Sequence, residues 1–295
     1  LGFEVILDVA PNVFDKLGIS YNDLSFFKEI NADGIRLDVG FTGSEEAMMT
    51  YNPQGLMIEI NMSNNTHTID TIMDYQPDRY HLIGCHNFYP HRYSGLTLEH
   101  FTQCTRNFAK YGLHTAAFVG CNDPEAFGPW QAKEGLVTLE MHRGLPVDVQ
   151  VKHMVTMGTI DDILISNCYP SKKEMDALSK VNLSMLNLEV NTVEGLPELY
   201  EKVVFGELQM NRGDINANMI RSTQTRVKFK GCNFEVFNTP DIIHRGDVCV
   251  ESSLHGHYAG EVQIAKADME NTGMTNVIGH IREEEVFLLD YIRPW

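Results

Sequence analysis

Acidic, amide and aromatic side chains recur in this sequence at one kind of position, near the end of a short apolar run that is typical of a buried strand. In the clearest run, residues 81–90, the apolar start gives way to polar and aromatic side chains before Pro90 ends the strand. Carboxylates can serve as acid, base or nucleophile, amides bind hydroxyl or acetamido groups, and aromatic rings stack on sugars. The set predicts a carbohydrate site. Its members are Asp8, Asp38, Glu59, Asn61, His86, Asn87, Tyr89, Asn167 and Tyr169.

The apolar runs that carry these residues alternate with helical patterns along the first half of the chain. In the clearest helix, residues 97–111, Leu98, Phe101 and Phe108 share one face. Six strand–helix units in succession predict a parallel sheet with right-handed crossovers. Because the carboxyl ends of parallel strands meet at one mouth, we expect Asp8 and Asp38 to face the same pocket from neighbouring strands. The predicted strands are residues 5–10, 34–40, 56–61, 81–90, 114–120 and 161–167.

The fold class predicted for this half is α/β, specifically a TIM (β/α)₈ barrel. An open doubly wound sheet could also hold the six strands, but the sequence has neither of the phosphate loops, GxGxxG or GxxxxGK[ST], that are usual in that class. A barrel needs eight units. Since the chain begins with Leu1 and not with Met, we expect its first two βα units to be absent.

The pattern changes near residue 183, where short alternating segments separated by Gly, Asn or Pro replace the strand–helix rhythm. We therefore predict two domains, a barrel over residues 1–182 and a small all-β barrel over residues 183–295. The segments interpreted as strands are residues 203–210, 221–230, 247–251, 258–265, 276–281 and 286–292.

Composition limits the classes of partner. The net charge is −17 and the sequence shows no clustered Lys and Arg of the kind that a broad phosphate-backbone surface needs, which argues against nucleic acid and anionic membranes. A local basic pocket for a small anion stays open. No apolar run is long enough to span a membrane, the start lacks a signal-peptide layout, and the six cysteines are scattered, so we predict a cytoplasmic protein. The histidines show no zinc spacing, and we predict neither a metal nor a cofactor. A homo-oligomeric state stays open.

A long connection over residues 121–143 exceeds the usual loop length, which is typical of functional or disordered segments. It contains Phe127 and Trp130. These aromatic residues indicate either a wall on which a sugar stacks or a loop that anchors itself.

Long motifs across the whole chain resemble one bacterial family, the MupG family of 6-phospho-N-acetylmuramidases, long labelled as uncharacterised or as "outer surface protein". Members of that family begin with two further βα units carrying an acidic residue, so the resemblance implies that a catalytic carboxylate precedes this sequence. The motifs are residues 5–11 (VILDVAP), 32–40 (ADGIRLDVG), 83–90 (IGCHNFYP), 128–130 (GPW), 212–215 (RGDI), 221–223 (RST) and 283–291 (EEEVFLLDY).

The resemblance implies a TIM barrel, a cyclophilin-like β domain, and hydrolysis of 6-phospho-N-acetylmuramic acid–N-acetylglucosamine in cell-wall recycling. Asp8 or Asp38 would then be the nucleophile or stabiliser and another carboxyl the general acid; attack by the substrate's own acetamido group stays open. The phosphate would be bound by Arg36, Arg212 or Arg221, or by backbone amides.

The alternative is a non-catalytic sugar-binding or surface interaction protein. It is supported by the older family label and by the tripeptide Arg-Gly-Asp at 212–214, which is also a common turn sequence.

Overall fold

The computed structural model of the protein describes residues 2–130 and 134–294. The chain divides into two compact units, Leu1–Val181 and Asn182–Trp295. Each unit has its own cluster of buried apolar side chains.

The first unit contains a six-stranded parallel sheet in which each strand pairs with the next strand along the chain. This sequential order is that of barrel strands, whereas a doubly wound sheet reverses its order at a switch point. The prediction of six parallel strands is confirmed. They are β1 (Ile6–Val9), β2 (Gly34–Leu37), β3 (Met57–Asn61), β4 (Leu82–Cys85), β5 (His114–Val119) and β6 (Asp162–Ile165).

Helices connect these strands, and local sequence explains where several of them begin. The Thr97 hydroxyl accepts a hydrogen bond from the His100 amide, and Ser171 and Glu174 form a reciprocal capping box. Gly84 lets α5 approach the sheet, because a Cβ there would lie 2.5 Å from the Phe108 ring. The helices are α1 (Pro11–Leu17), α2 (Ser25–Glu29), α3 (Ser44–Met49), α4 (Thr68–Asp74), α5 (Leu98–Ala109), α6 (Val147–Met157) and α7 (Lys172–Leu178).

Side chains alternate along β2 and β3, so that apolar residues face the helices and polar residues face the opposite side of the sheet. Ile35 and Ile58 are both 0% exposed and belong to the apolar core cluster. The next residue on each strand, Arg36 on β2 and Glu59 on β3, must point to the opposite face, because successive strand side chains alternate. A polar row therefore forms on the face away from the helices.

The second unit is a five-stranded antiparallel sheet of order β7-β13-β10-β11-β8, with a separate pair formed by β9 and β12. Two short helices, α8 (Glu198–Phe205) and α9 (Gln224–Lys228), belong to the same unit. The strands are β7 (Val190–Thr192), β8 (Met219–Ser222), β9 (Ile242–Ile243), β10 (Asp247–Glu251), β11 (Val262–Ala265), β12 (Met269–Glu270) and β13 (Thr275–Ile281).

The expectation of an all-β second half is wrong in three segments. Residues 203–210 were expected as a strand, but residues 198–205 form α8, with Tyr200, Val203 and Val204 buried at the spacing of one helix face. Residues 224–228 of the predicted strand 221–230 form α9, and most of 286–292 lies in the 3₁₀ helix Glu283–Tyr291. Over so few residues, an alternating pattern fits the period of a strand and that of a helix equally well. In the structure these segments bury the residues that share one face of a helix.

Candidate active site

Arg36 is the centre of a charged cluster on the inner face of the parallel sheet. Arg36 is 8% exposed, and its Nη1 atom lies 3.1 Å from Asp8 Oδ2 and 3.3 Å from Asp38 Oδ1. Its Nε atom lies 3.1 Å from Glu59 Oε1. One buried guanidinium therefore contacts three carboxylates. Their negative charges offset the cost of burying the cation.

Strand register explains this convergence. Asp8 pairs with Arg36 across β1 and β2, and Arg36 pairs with Glu59 across β2 and β3, so the three side chains form a row on one face. Asp38 follows Arg36 by two residues and lies on the same side at the carboxyl end of β2. The structure thus brings Asp8 and Asp38 together, as expected for residues near the ends of neighbouring parallel strands.

Two amides complete the rim of this crevice. Arg36 donates a hydrogen bond from Nη2 to Asn87 Oδ1, and Asn61 Nδ2 donates to Asp38 Oδ1 at 3.2 Å. The Asn61 oxygen accepts from the Ser63 amide at 2.9 Å, which fixes the orientation of its side chain. The two amides thus border the carboxylates, as a site for a hydroxylated or acetamido-bearing ligand requires.

The three carboxylates differ in how far their side chains are exposed. The side chains of Asp8 and Asp38 are 64% and 46% exposed, so a ligand can reach both, while that of Glu59 is 6% exposed. Desolvation is the largest influence on the pKa of Asp8 and raises it, in part against the pull of Arg36. Burial likewise raises the pKa of Glu59. A carboxyl with a raised pKa is suited to donate a proton, and Asp8 combines that property with access.

The structure places His86 in the core and not on the crevice. It is 0% exposed, its ring stacks on Phe101 with centroids 4.4 Å apart, and its Nε2 atom lies 3.0 Å from Thr105 Oγ1. Its contact with the site is indirect, through Ser63, whose hydroxyl lies 3.4 Å from His86 Nδ1 and accepts a hydrogen bond from the Asn87 amide at 2.7 Å. Sequence reasoning missed Ser63, which shows no motif of its own.

We predict a pH-dependent loss of stability from three buried histidines of this unit, His86, His142 and His153. Burial lowers the pKa of His86 to about 3 and of His153 to about 4, and it lowers that of His142 well below its usual value. The unfolded chain binds these protons near pH 6.5 and the folded chain does not, so stability falls as pH drops below about 6.5, by up to roughly 1.4 kcal/mol per pH unit for each histidine. Urea unfolding at pH 7 and pH 5.5 measures the difference.

Two comparisons sharpen this measurement. His67→Gln, at a side chain that is 95% exposed, should leave the pH dependence unchanged. His86→Gln should lower stability at pH 7 but make the dependence shallower. The raised pKa values of Asp8 and Glu59 act in the opposite sense, so the measured pH dependence is the net of the two effects. Equal stability at both pH values would contradict the interpretation.

Tyr89 lies in the segment that follows β4, it is half-buried, and partial burial raises the pKa of its hydroxyl. Its backbone is held by two hydrogen bonds, from its amide to Val137 O at 2.9 Å and from Arg143 Nη2 to its carbonyl at 3.0 Å.

Arg143 also binds both carboxylate oxygens of Glu140, at 2.7 and 2.8 Å, and this pairing lowers the pKa of Glu140 to about 2. Sequence reasoning missed this clamp; the Glu140–Arg143 spacing was its only signal.

The long loop borders a cavity of about 470 Å³ lined by Phe127, Trp130 and Asn167, among others. Trp130 is 55% exposed and Tyr169 is 70% exposed. Phe127 and Tyr169 exchange backbone hydrogen bonds of 2.8 and 3.0 Å, and their rings lie 6.1 Å apart. The Asn167 oxygen accepts from the Cys121 amide at 2.8 Å. The loop both anchors itself and leaves aromatic surface open, so each of the two interpretations of its aromatic residues finds support.

The remaining predicted residues, Arg212 and Arg221, belong to the second unit. Arg221 Nη2 lies 2.7 Å from Glu261 Oε1, and Arg212 Nε donates to Asp214 Oδ1 at 2.7 Å. The Arg-Gly-Asp tripeptide thus closes on itself through its two charged side chains.

The described residues contain neither a metal-binding group nor a membrane-spanning helix. Within residues 2–130 and 134–294, no group of three or more His, Cys, Asp or Glu side chains is arranged to hold a metal ion. No helix in the described ranges is both long and apolar enough to cross a membrane.

Family models match almost all of both units. One described as "6-phospho-N-acetylmuramidase, N-terminal" matches residues 1–180, and one described as "6-phospho-N-acetylmuramidase, C-terminal" matches residues 186–295. No curated protein matches the chain.

Two solved structures are similar. An uncharacterized protein of B. cereus is 45% identical with a TM-score of 0.92, over 99% of this chain and 82% of that chain. A conserved Enterococcus faecalis protein of unknown function is 23% identical with a TM-score of 0.69, over 99% of this chain and 78% of that chain, and this likeness shows the fold alone. By its two family matches, the chain belongs to the 6-phospho-N-acetylmuramidase family.

Proposed function

We propose that the protein is a glycoside hydrolase that cleaves the 6-phospho-N-acetylmuramic acid–N-acetylglucosamine disaccharide. Membership in the family supports the substrate. The observation that carries the reaction is the pairing of two accessible carboxylates, Asp8 and Asp38, on one guanidinium nitrogen of Arg36. Glycoside hydrolysis needs such a pair, one group to protonate the leaving oxygen and one to stabilise or attack the sugar carbon.

We assign the acid role to Asp8, because its raised pKa favours the protonated form, and the second role to Asp38. Asp38 either attacks the anomeric carbon or orients the substrate's acetamido group for that attack. Glu59 is too buried to reach a sugar, and its part is to hold Arg36. Asn61, Asn87 and Tyr89 position the sugar, with Trp130, Asn167 and Tyr169 on the loop side.

At the level of fold, we propose that β1 to β6 are six of the eight strands of a TIM barrel, which forms a catalytic domain over residues 1–182. Residues 183–295 form a cyclophilin-like β domain. The sequential strand order supports the first assignment and the five-stranded antiparallel sheet the second. We place the reaction in cytoplasmic recycling of cell-wall fragments, as membership in the family suggests.

The test is turnover of the disaccharide with and without its 6-phosphate by the full-length protein. We expect kcat/KM to fall by at least about a hundredfold without the phosphate, because the charge-assisted hydrogen bonds that the phosphate makes to the protein are then lost. Equal turnover of both sugars would remove the phosphate from the proposal. Binding of the phosphorylated sugar with no turnover would favour the non-catalytic sugar-binding alternative.

A further inference from the structure

Three arginines of the second unit converge on one buried carboxylate. Glu261 is 0% exposed, and its Oε1 atom accepts from Arg221 Nε at 2.8 Å and lies 2.7 Å from Arg221 Nη2. Its Oε2 atom lies 3.3 Å from Arg226 Nε and 3.9 Å from Arg212 Nη1. These three arginines and Glu261 are called the arginine cluster below.

The three arginine side chains are held by their neighbours and remain partly exposed. The Tyr258 ring centroid lies 4.9 Å from Arg226 Cζ and 5.7 Å from Arg221 Cζ, so both cations lie over one aromatic ring. The side chains of Arg212, Arg221 and Arg226 are 27%, 22% and 14% exposed. A carboxylate and an aromatic ring that orient partly exposed arginines are features of a preorganised anion site.

Positive charge outnumbers negative charge at this point of a strongly acidic chain. Three permanently charged guanidiniums face two carboxylates, Glu261 and Asp214. The neighbouring Glu251 has partners of its own, Thr275 Oγ1 at 2.9 Å and His255 Nε2 at 3.0 Å, and burial raises its pKa. With a net charge of −17 over the whole chain, a local surplus of cations calls for an anionic partner.

Buried polar atoms in the cluster also lack partners. Within the part of the chain that the structure describes, Arg226 Nη1, Gln263 Oε1 and Glu261 Oε2 make no hydrogen bond, although Glu261 Oε2 keeps its ion pairs with Arg226 and Arg212 at 3.3 and 3.9 Å. Gln263 donates from Nε2 to Glu261 Oε1 at 3.2 Å, which fixes its amide and leaves the carbonyl oxygen unmatched. Unsatisfied buried groups are rare in folded proteins, and here a donor, Arg226 Nη1, and an uncharged acceptor, Gln263 Oε1, occur beside the same carboxylate. A ligand with an oxyanion and a hydroxyl or amide donor would satisfy both.

Asp214 shows how an oxyanion fits the exposed edge. Its two carboxylate oxygens accept from Arg212 Nε and Nη2, both at 2.7 Å, in the bidentate geometry that guanidiniums adopt with carboxylate and phosphate. The Asp214 side chain is 60% exposed, so this pair contributes little to stability and is easily exchanged.

We propose that the arginine cluster is a binding site for the oxyanion of a small polar ligand, a phosphate or a carboxylate, and that this oxyanion displaces Asp214 from Arg212. The inference concerns the second unit by itself and does not depend on the proposed hydrolysis.

Calorimetric titration of the full-length protein at low salt tests it, with inorganic phosphate and acetate as separate probes. Arg221→Gln should weaken binding at least about tenfold, because it removes charge-assisted bonds. Asp214→Asn should tighten binding, up to about fivefold, because it removes a competing surface carboxylate. Arg106→Gln, at an exposed arginine of α5, is the control and should change nothing.

The two probes separate the sources of the oxyanion: tighter binding of phosphate indicates a phosphorylated ligand, and tighter binding of acetate a carboxylate. If Arg221→Gln fails to fold, Arg212→Gln, at the most exposed arginine of the cluster, gives the same comparison. Binding of neither probe, or equal binding by wild type and both arginine variants, would overturn the site. Weaker binding by Asp214→Asn would overturn the displacement.

Discussion

Asp38→Asn should lower kcat for the phosphorylated disaccharide by roughly a hundredfold or more, the range expected when a positioned carboxylate is lost from the reaction. Asn keeps the size of the side chain and can still accept the hydrogen bond from Asn61, so the fold should tolerate it. The ion pair with Arg36 that it loses joins a side chain that is 46% exposed, and such pairs contribute at most about 1 kcal/mol. The melting temperature should therefore shift by only a few degrees.

Steady-state kinetics and thermal unfolding of this one variant separate two roles for Asp38. Asp162→Asn is a matched control, because its side chain is 57% exposed and lies at the opposite, amino-terminal end of a strand of the same sheet. Full turnover by Asp38→Asn would remove this residue from the reaction and leave Asp8 as the carboxylate to test.

The largest loss of stability should come from Arg36→Met. Methionine fills a similar volume, but it leaves the buried Glu59 carboxylate, 6% exposed, without its cation. Removing one partner of a buried ion pair costs about 3–5 kcal/mol of the free energy of unfolding. Urea unfolding at pH 7 measures this loss. It should be smaller at pH 5, because Glu59, whose pKa burial already raises, can then bind a proton and become neutral.

Two comparisons isolate the charge at Arg36 from its packing. Arg106→Met, at an exposed position, should cost little. Arg36→Met combined with Glu59→Gln should recover part of the loss, since the unpaired carboxylate is then absent. Loss of stability by Arg36→Met that is equal at both pH values and is not recovered by Glu59→Gln would show that Arg36 acts through packing alone.

The parallel sheet was predictable from sequence because its strands are short apolar runs separated by capped helices. The row formed by Asp8, Arg36 and Glu59 was only half predictable. Alternation indicates which residues share a face of one strand, but the register that places Arg36 beside both carboxylates is a property of pairing between strands. The burial of Glu59 and of His86 likewise depends on what packs above them, as does the clamp of Arg143 on Glu140.

The second unit was harder to predict because its elements are short. Segment 203–210 contains two adjacent valines and a leucine, which fit a strand, while Pro197 and the buried face of Tyr200, Val203 and Val204 begin before that segment and fit a helix. The arginine cluster shows no local pattern, since its members come from positions 212, 221, 226 and 261. The antiparallel pairing of β8 and β11 brings Arg221 beside Gln263, two residues from Glu261.

The most direct test of the proposed reaction is the release of free sugars from the phosphorylated disaccharide by the full-length protein and by its Asp8→Asn/Asp38→Asn double variant, in parallel. The Arg36 crevice, if it is the hydrolytic site, predicts equimolar release of 6-phospho-N-acetylmuramic acid and N-acetylglucosamine by the wild type and none above background by the folded double variant. Equal release by the two proteins, or no release by the wild type, would contradict it.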